Sequence, residues 1–202
     1  QVTLSDIKES ILLLPTGFHT KFSFNNTMIL FEEDIRKETV LEIAKKIAVA
    51  ARTAPKGKGV DNLEIAILTD GDIEKLAEKM CELAVVEGRT SFARDAENCR
   101  KSQVVMLFGT KITTLGINCK FCGFPTCEDK KQHSEIPCFC NANDLGIAIG
   151  SAVSVACDNR IDNRVMYTVG YTANKMNLLP NSDIVLGLPL SVSGKSPFFD
   201  RK

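Results

Sequence analysis

Five of the chain's eight cysteines fall between positions 119 and 140, in the pattern Cys119-x2-Cys122-x4-Cys127-x10-Cys138-x-Cys140. Thiolates are soft ligands that suit zinc or iron–sulfur clusters. A tight Cys-x2-Cys pair lets two sulfurs reach one metal or one cluster face. A third cysteine five positions on and a more distant fourth would complete four ligands. Gly123 removes side-chain bulk where the backbone must curl, and Pro125 stiffens the link to Cys127. Phe121, Phe124, Ile136 and Phe139 would limit solvent access and tune a cluster's potential. The same spacing leaves zinc open, because Cys-x2-Cys-Gly also begins zinc ribbons and His133 is a further candidate ligand. Cys127 fits that reading less well, since a ribbon uses two pairs and not a triplet. Unligated thiols are the third reading. Cys81, Cys99 and Cys157 read as ordinary buried thiols on helices.

A second group of residues could hold a phosphate. Arg52 and the loop Lys56-Gly57-Lys58-Gly59 set cations beside glycines that let an anion approach the backbone. It is not a Walker sequence, and a solvated turn is the plainer reading. Ser193-Gly194-Lys195-Ser196 is a similar case. Arg94-Asp95 and Asp162-Asn163-Arg164 read as salt-bridged helix starts. His19 and His133 are isolated, and no hydrolase arrangement is present.

These residues must be positioned by the surrounding elements. Residues 33–54 read as a helix, with Val40, Ala44, Ile47 and Ala51 at helical spacing and Pro55 as the stop. Leu63 to Leu68 reads as a buried strand, Thr69-Asp70-Gly71 as a turn, and Asp72 as the cap of a second helix with Ile73, Leu76, Ala77 and Met80 on one stripe. Val104 to Phe108 is a further strand. Segment 117–142 lacks periodic apolar residues and reads as an excursion organised by a metal. Asn143 or Asp144 then caps a helix through Cys157. That helix is apolar or small on every face, so near-complete burial is expected. A helix over 163–178, a strand from Ile184 to Leu186 and a polar tail from Ser191 complete the reading. Nothing is read over the first 30 residues. The loose alternation of strands and helices implies a layered α/β or α+β fold in one domain, 1–202.

The 202 residues, 44% hydrophobic, suffice for one sizeable core. Lys+Arg and Asp+Glu are both 25, so a basic nucleic-acid-binding surface is not expected. Disorder is excluded by the same balance. The most apolar stretch, 145–157, is shorter than the roughly 20 residues a bilayer requires, and no signal peptide is read at the start. Asn25 heads a glycosylation triplet without a secretion signal to support it. A reduced cytoplasmic setting is the expectation.

The chain resembles a family of ferredoxin-domain proteins found mainly in anaerobes. The resemblance spans about residues 35–201. It rests on the motifs at 50–57 (Ala-Ala-Arg-Thr-Ala-Pro-Lys-Gly) and 94–97, on Cys119-x2-Cys122-Gly123-x3-Cys127, on 144–152 and 162–164, and on Phe198-Phe199-Asp200-Arg201. It implies a 4Fe–4S cluster on Cys119, Cys122, Cys127 and a later cysteine, with Cys138, which follows Ile136-Pro137, as the fourth and Cys140 spare. A fainter resemblance links Ala51 to Pro55 and Gly187-Leu188-Pro189 to flavin nitroreductases. It implies an α+β, nitroreductase-like layered fold with the cysteine-rich segment 117–142 inserted. It also implies FMN near Arg52, Lys56, Gly57 and Lys195, and a homodimer. The N-terminal run of arginines of that fold is absent here. Three functions follow: an oxidoreductase passing electrons between cluster and flavin, a non-enzymatic electron carrier or sensor with a redox partner, or a zinc-stapled structural protein.

Overall fold

A computed structural model describes residues 29–199. His19, the Asn25 triplet and the last residues of the Phe198-Phe199-Asp200-Arg201 motif lie outside that range. Of these, residues 31–199 belong to one compact unit.

The first helix, α1 (Glu32–Thr53), opens on Glu32, Glu33 and Asp34 and closes on Arg52, charges that complement the helix dipole at both ends. Pro55 cannot continue it, and a single turn of 3-10 helix, Gly57–Gly59, follows. Strand β1 (Glu64–Leu68) leads into α2 (Asp70–Val86). That helix starts at Asp70, with Thr69 in extended backbone just before it, so the expected turn is the helix's own first residues. A helix the periodicity missed, α3 (Thr90–Arg100), precedes β2 (Val104–Thr110). The cysteine-rich segment contributes one short helix, α4 (Cys127–Lys131).

The next helix, α5 (Phe139–Asp158), begins several residues earlier than the expected Asn143 or Asp144 cap, so that Cys138 is its N-cap residue and Cys140 lies in its first turn. Asp162–Asn163 is a short strand, β3, and not a helix start. The helix read over 163–178 is confined to α6 (Tyr167–Lys175). The last strand, β4 (Ile184–Ser191), runs five residues past the expected Leu186. The expected polar tail after it buries Phe198, whose carbonyl accepts from Arg164 at 2.8 Å.

The four strands form one antiparallel sheet in the order β1-β2-β4-β3, which makes the fold α+β. Helices cover both faces. Val104, Met106 and Phe108 point with Leu188 and Leu190 into a core shared with α1 and α5. Val105 and Leu107 point the other way, into a core shared with α2, α3 and α6. A strand buried on both faces reads as an unbroken apolar run, and β2 does. The close seat of α6 on β4 requires two glycines. A Cβ added at Gly170 would lie 1.8 Å from the Val185 carbonyl oxygen, and one at Gly187 would lie 2.1 Å from Val169.

Near-complete burial of α5 does not hold. Leu145, Ala148, Ile149, Ala152 and Ala156 face the core, while Gly146, Ile147, Gly150, Ser154 and Cys157 are exposed. The exposed side carries mostly small residues, which hides its amphipathicity from a pattern based on polarity alone. Cys157 is therefore exposed and Cys81 half-buried; of the three helix cysteines read as buried, Cys99 is. Burial, more than the charge of Asp95, pushes the Cys99 thiol up to about 12.

Candidate metal centre

The lobe between β2 and α5 leaves the sheet at Thr110 and returns at Cys138. Long-range bonds close the lobe at its base. The Cys138 amide donates to the Ile112 carbonyl at 3.3 Å, and the Lys130 ammonium donates to the same oxygen at 2.7 Å. Asn141, buried in the first turn of α5, donates its side-chain amide to the Thr113 carbonyl and accepts from Asn62 at 3.2 Å. Asp144 accepts from the Gly57 amide at 3.0 Å, which ties the loop after α1 to the same corner.

Within the lobe, Gly116, Asn118, Lys120 and Gly123 all take positive φ. Glycine and asparagine adopt that region at little cost, whereas Lys120 is held there against its preference. These reversals curl the chain around its cysteines. Asn118 clasps Cys127 from both sides: its amide donates to the Cys127 sulfur at 3.3 Å, and its side-chain oxygen accepts from the Cys127 amide at 2.7 Å. A capping box between Thr126 and Asp129 then starts α4 immediately at Cys127.

The result is one cavity lined by Cys119, Cys122, Cys127, Cys138 and Cys140, with Leu115 and Phe124 among its apolar walls. The four cysteines named from the sequence are thus brought together, and the spare, Cys140, joins them, its sulfur 3.8 Å from that of Cys119. Cys138 is buried at 5% exposure and the other four are partly so. Exposed Phe121 and Phe139 pack edge to face, 5.0 Å between ring centroids.

The two cysteines at the start of α5 differ in acidity. Burial works to push the Cys138 thiol up. The amides of Asn141, Leu115 and Cys140 and the Cys140 thiol outweigh it and hold Cys138 below the ordinary range. Amides at a helix N-terminus favour a thiolate. Cys140 is pushed up to about 12, first by burial and then by the hydrogen bond and charge of Cys119 and the charges of Cys138 and Asp144. Several thiolates cannot share so small a space unless a cation lies among them. Among the described residues, no three His, Cys, Asp or Glu side chains are grouped to hold a single ion. His133 stacks on Phe124 and lies 3.6 Å from Glu135. An all-sulfur donor set around an apolar cavity fits an iron–sulfur cluster, in which each thiolate binds a different iron.

The residues expected to hold a flavin phosphate are arranged differently. Arg52 donates to Asp61 at 2.8 Å and to the Leu63 carbonyl at 2.7 Å. Lys56 turns back onto the end of α1, donating to the carbonyls of Arg52 at 2.6 Å and Ala54 at 2.9 Å, with Asp61 4.0 Å away. Lys195 lies beyond β4 in the segment closed by a Ser193–Lys195 bond. Arg52 and Lys56 therefore meet across Asp61, while the small pocket beside Lys56 is lined by Asn62, Asn141 and Asp144 and by neither Arg52 nor Lys195. Arg94 and Asp95 do form the expected ion pair, 2.8 Å, although within α3 and with Asp95 buried and accepting from Thr168.

No helix among the described residues is long and apolar enough to cross a membrane. The layered fold is similar to that of an FMN-dependent nitroreductase from Mycobacterium smegmatis in complex with NADPH. Sequence identity is 12% and the TM-score 0.54, over 76% of this chain and 78% of that one. It is also similar to a nitroreductase with bound FMN from Desulfitobacterium hafniense, at 15% identity and TM-score 0.52, over 76% and 78%. The chain spans 60% of the length of nitroreductase A from Vibrio parahaemolyticus (15% identity, TM-score 0.48, 77% of this chain). The fold is thus nitroreductase-like. An uncharacterized protein of Archaeoglobus fulgidus is 45% identical over 182 residues, which is 86% of this chain and 98% of that protein. Residues 135–201, from the end of the lobe onward, match the model of a family described as uncharacterized proteins containing a ferredoxin domain (DUF2148), and to that family the chain belongs.

Proposed function

We propose that the protein is an iron–sulfur redox protein whose 4Fe–4S cluster is held by Cys119, Cys122, Cys127 and Cys138. One observation carries the reading: these four thiols, separated by up to 19 positions, line a single apolar cavity. A bound cluster would supply one-electron transfer. The chain's own residues do the rest. The first-turn amides of α5 support negative charge on Cys138, and the Asn118 amide withdraws electron density from the Cys127 sulfur, which favours the reduced state. Leu115 and Phe124 keep water from the thiols. Substituting each cysteine with serine and measuring iron per chain after anaerobic purification tests the ligand set. Loss is expected for Cys119, Cys122, Cys127 and Cys138, and retention for Cys140→Ser. The reverse result for the last two would make Cys140 the fourth ligand.

A second reading adds FMN and makes the protein a flavin-dependent oxidoreductase acting as a homodimer. Its support is the fold shared with the two FMN-binding nitroreductases. Arg52 and Lys56 would have to release Asp61 and the end of α1 to meet a phosphate. Anaerobic titration with FMN tests it: saturable quenching of flavin fluorescence supports the reading, and its absence leaves the electron carrier.

A further inference from the structure

A second cavity, about 500 Å³, opens at the lobe's base. Its walls include Ile112, Thr113 and Thr114 from the chain just after β2, Lys130 and Ser134 further along the lobe, and Asp183 before β4. Thr114 also lines the thiol cavity, so the two spaces share a wall. The volume is that of a small-molecule site.

Lys130 is the unusual residue. It is 2% exposed, and its ammonium has one hydrogen bond, to the Ile112 carbonyl. Among the described residues no carboxylate lies within 4.0 Å of it. A buried ammonium is ordinarily paired, because an isolated charge out of water is strongly disfavoured. The other charges at this cavity do not supply the pair. Lys131 is exposed and bonded to Glu128 at 2.8 Å, and Asp183 is exposed with its carboxylate accepting from the Ile112 amide at 3.0 Å. Two of the three ammonium hydrogens have no partner among the described residues. The hydroxyls of Thr114 and Ser134 make no hydrogen bond among the described residues. Anchoring the lobe to Ile112 explains one hydrogen bond, but it would be met equally by a neutral donor.

We propose that this cavity binds a small organic carboxylate, with the Lys130 ammonium as its counter-charge, Thr114 and Ser134 as hydrogen-bond donors, and Ile112 against its apolar body. The binding site stands on its own geometry. Any link between a ligand there and the redox centre, through the shared Thr114 wall, rests on the cluster reading above.

Calorimetric titration of the anaerobically purified protein with benzoate tests the site, with benzyl alcohol as the neutral counterpart. Saturable benzoate binding is expected, at least tenfold tighter than the alcohol. Lys130→Met should weaken benzoate at least tenfold and leave the alcohol unchanged. Because that variant removes the lobe's anchor, Ser134→Phe, at an exposed position, serves as a second: it fills the cavity and should abolish binding while the visible spectrum stays as in the parent. Equal affinity for the two probes, no saturable heat, or benzoate binding undisturbed by Ser134→Phe would overturn the site. The spectrum separates the two readings. A coloured protein that ignores benzoate refutes this pocket alone, and a colourless protein that binds it keeps the site and refutes the cluster.

Discussion

Asn141 is one of the residues through which the body of the protein holds the base of the lobe, and its replacement by alanine should loosen the lobe while sparing the core. The side chain is 1% exposed and makes two hydrogen bonds, one to the Thr113 carbonyl and one from Asn62. A net contribution near 1 kcal/mol for each, and some penalty for polar groups left without partners, sums to about 2–3 kcal/mol. The loss falls on the joint between the exit of β2 and the start of α5, so it should act on local opening. An opening free energy lowered by that amount accelerates exchange about 30- to 150-fold. Hydrogen exchange followed by mass spectrometry reads this directly: peptides from residues 111–138 should exchange faster by that factor, while β2 peptides over 104–110 change far less. Unchanged exchange in the lobe would refute the assignment of Asn141 as its clamp. Uniform acceleration of lobe and strand would refute the locality of the effect.

Gly170→Ala should destabilise the whole fold by about 3 kcal/mol or more, since the added Cβ meets backbone at Val185 and the helix must move off β4; chemical denaturation measures it. At Asp61, burial works to raise the carboxyl, but the Arg52 hydrogen bond, the Leu63 amide and the charges of Arg52 and Lys56 outweigh it and hold it below 3.8. Its contribution is thus present above about pH 3.8 and lost as pH falls through the folded value. Asp61→Asn should flatten that part of the acid profile and cost no more than about 1 kcal/mol at neutral pH, because the pair is half-exposed. Alkylation of the native protein near pH 8 should label exposed Cys157 and leave Cys99, whose thiol is pushed up to about 12, unmodified until unfolding. Light scattering tests the homodimer expected of the flavin reading: that reading predicts twice the mass of the 22.1 kDa chain, and a single chain's mass would count against it.

The helices with strong apolar periodicity, α1 and α2, were legible to within a few residues, and the buried run at β2 was legible as a strand. Helix α3 was not, because its buried positions include Asp95 and Asn98, and polar residues break an apolar pattern; Asp95 is satisfied by Thr168 from α6, a partner that a pattern cannot supply. The start of α5 was misplaced for a related reason. Asn143 and Asp144 are good cap residues, yet the helix extends back to Phe139, where the lobe returns through the Cys138–Ile112 bond and Asn141 docks on Thr113. The cysteine motif was legible from spacing and residue type alone. The choice between Cys138 and Cys140 was not, since both lie at the start of one helix and line one cavity. Lys130 carried no signal in the sequence. It is one of four charged residues in a row, 128–131, and burial alone distinguishes it.

What fills the thiol cavity decides the protein's chemistry. Anaerobically purified protein should be brown, hold about four iron and four sulfide per chain, and bleach on reduction with dithionite as one electron enters. A colourless protein holding one zinc per chain, with no iron or sulfide, would contradict it and make the lobe a structural zinc site.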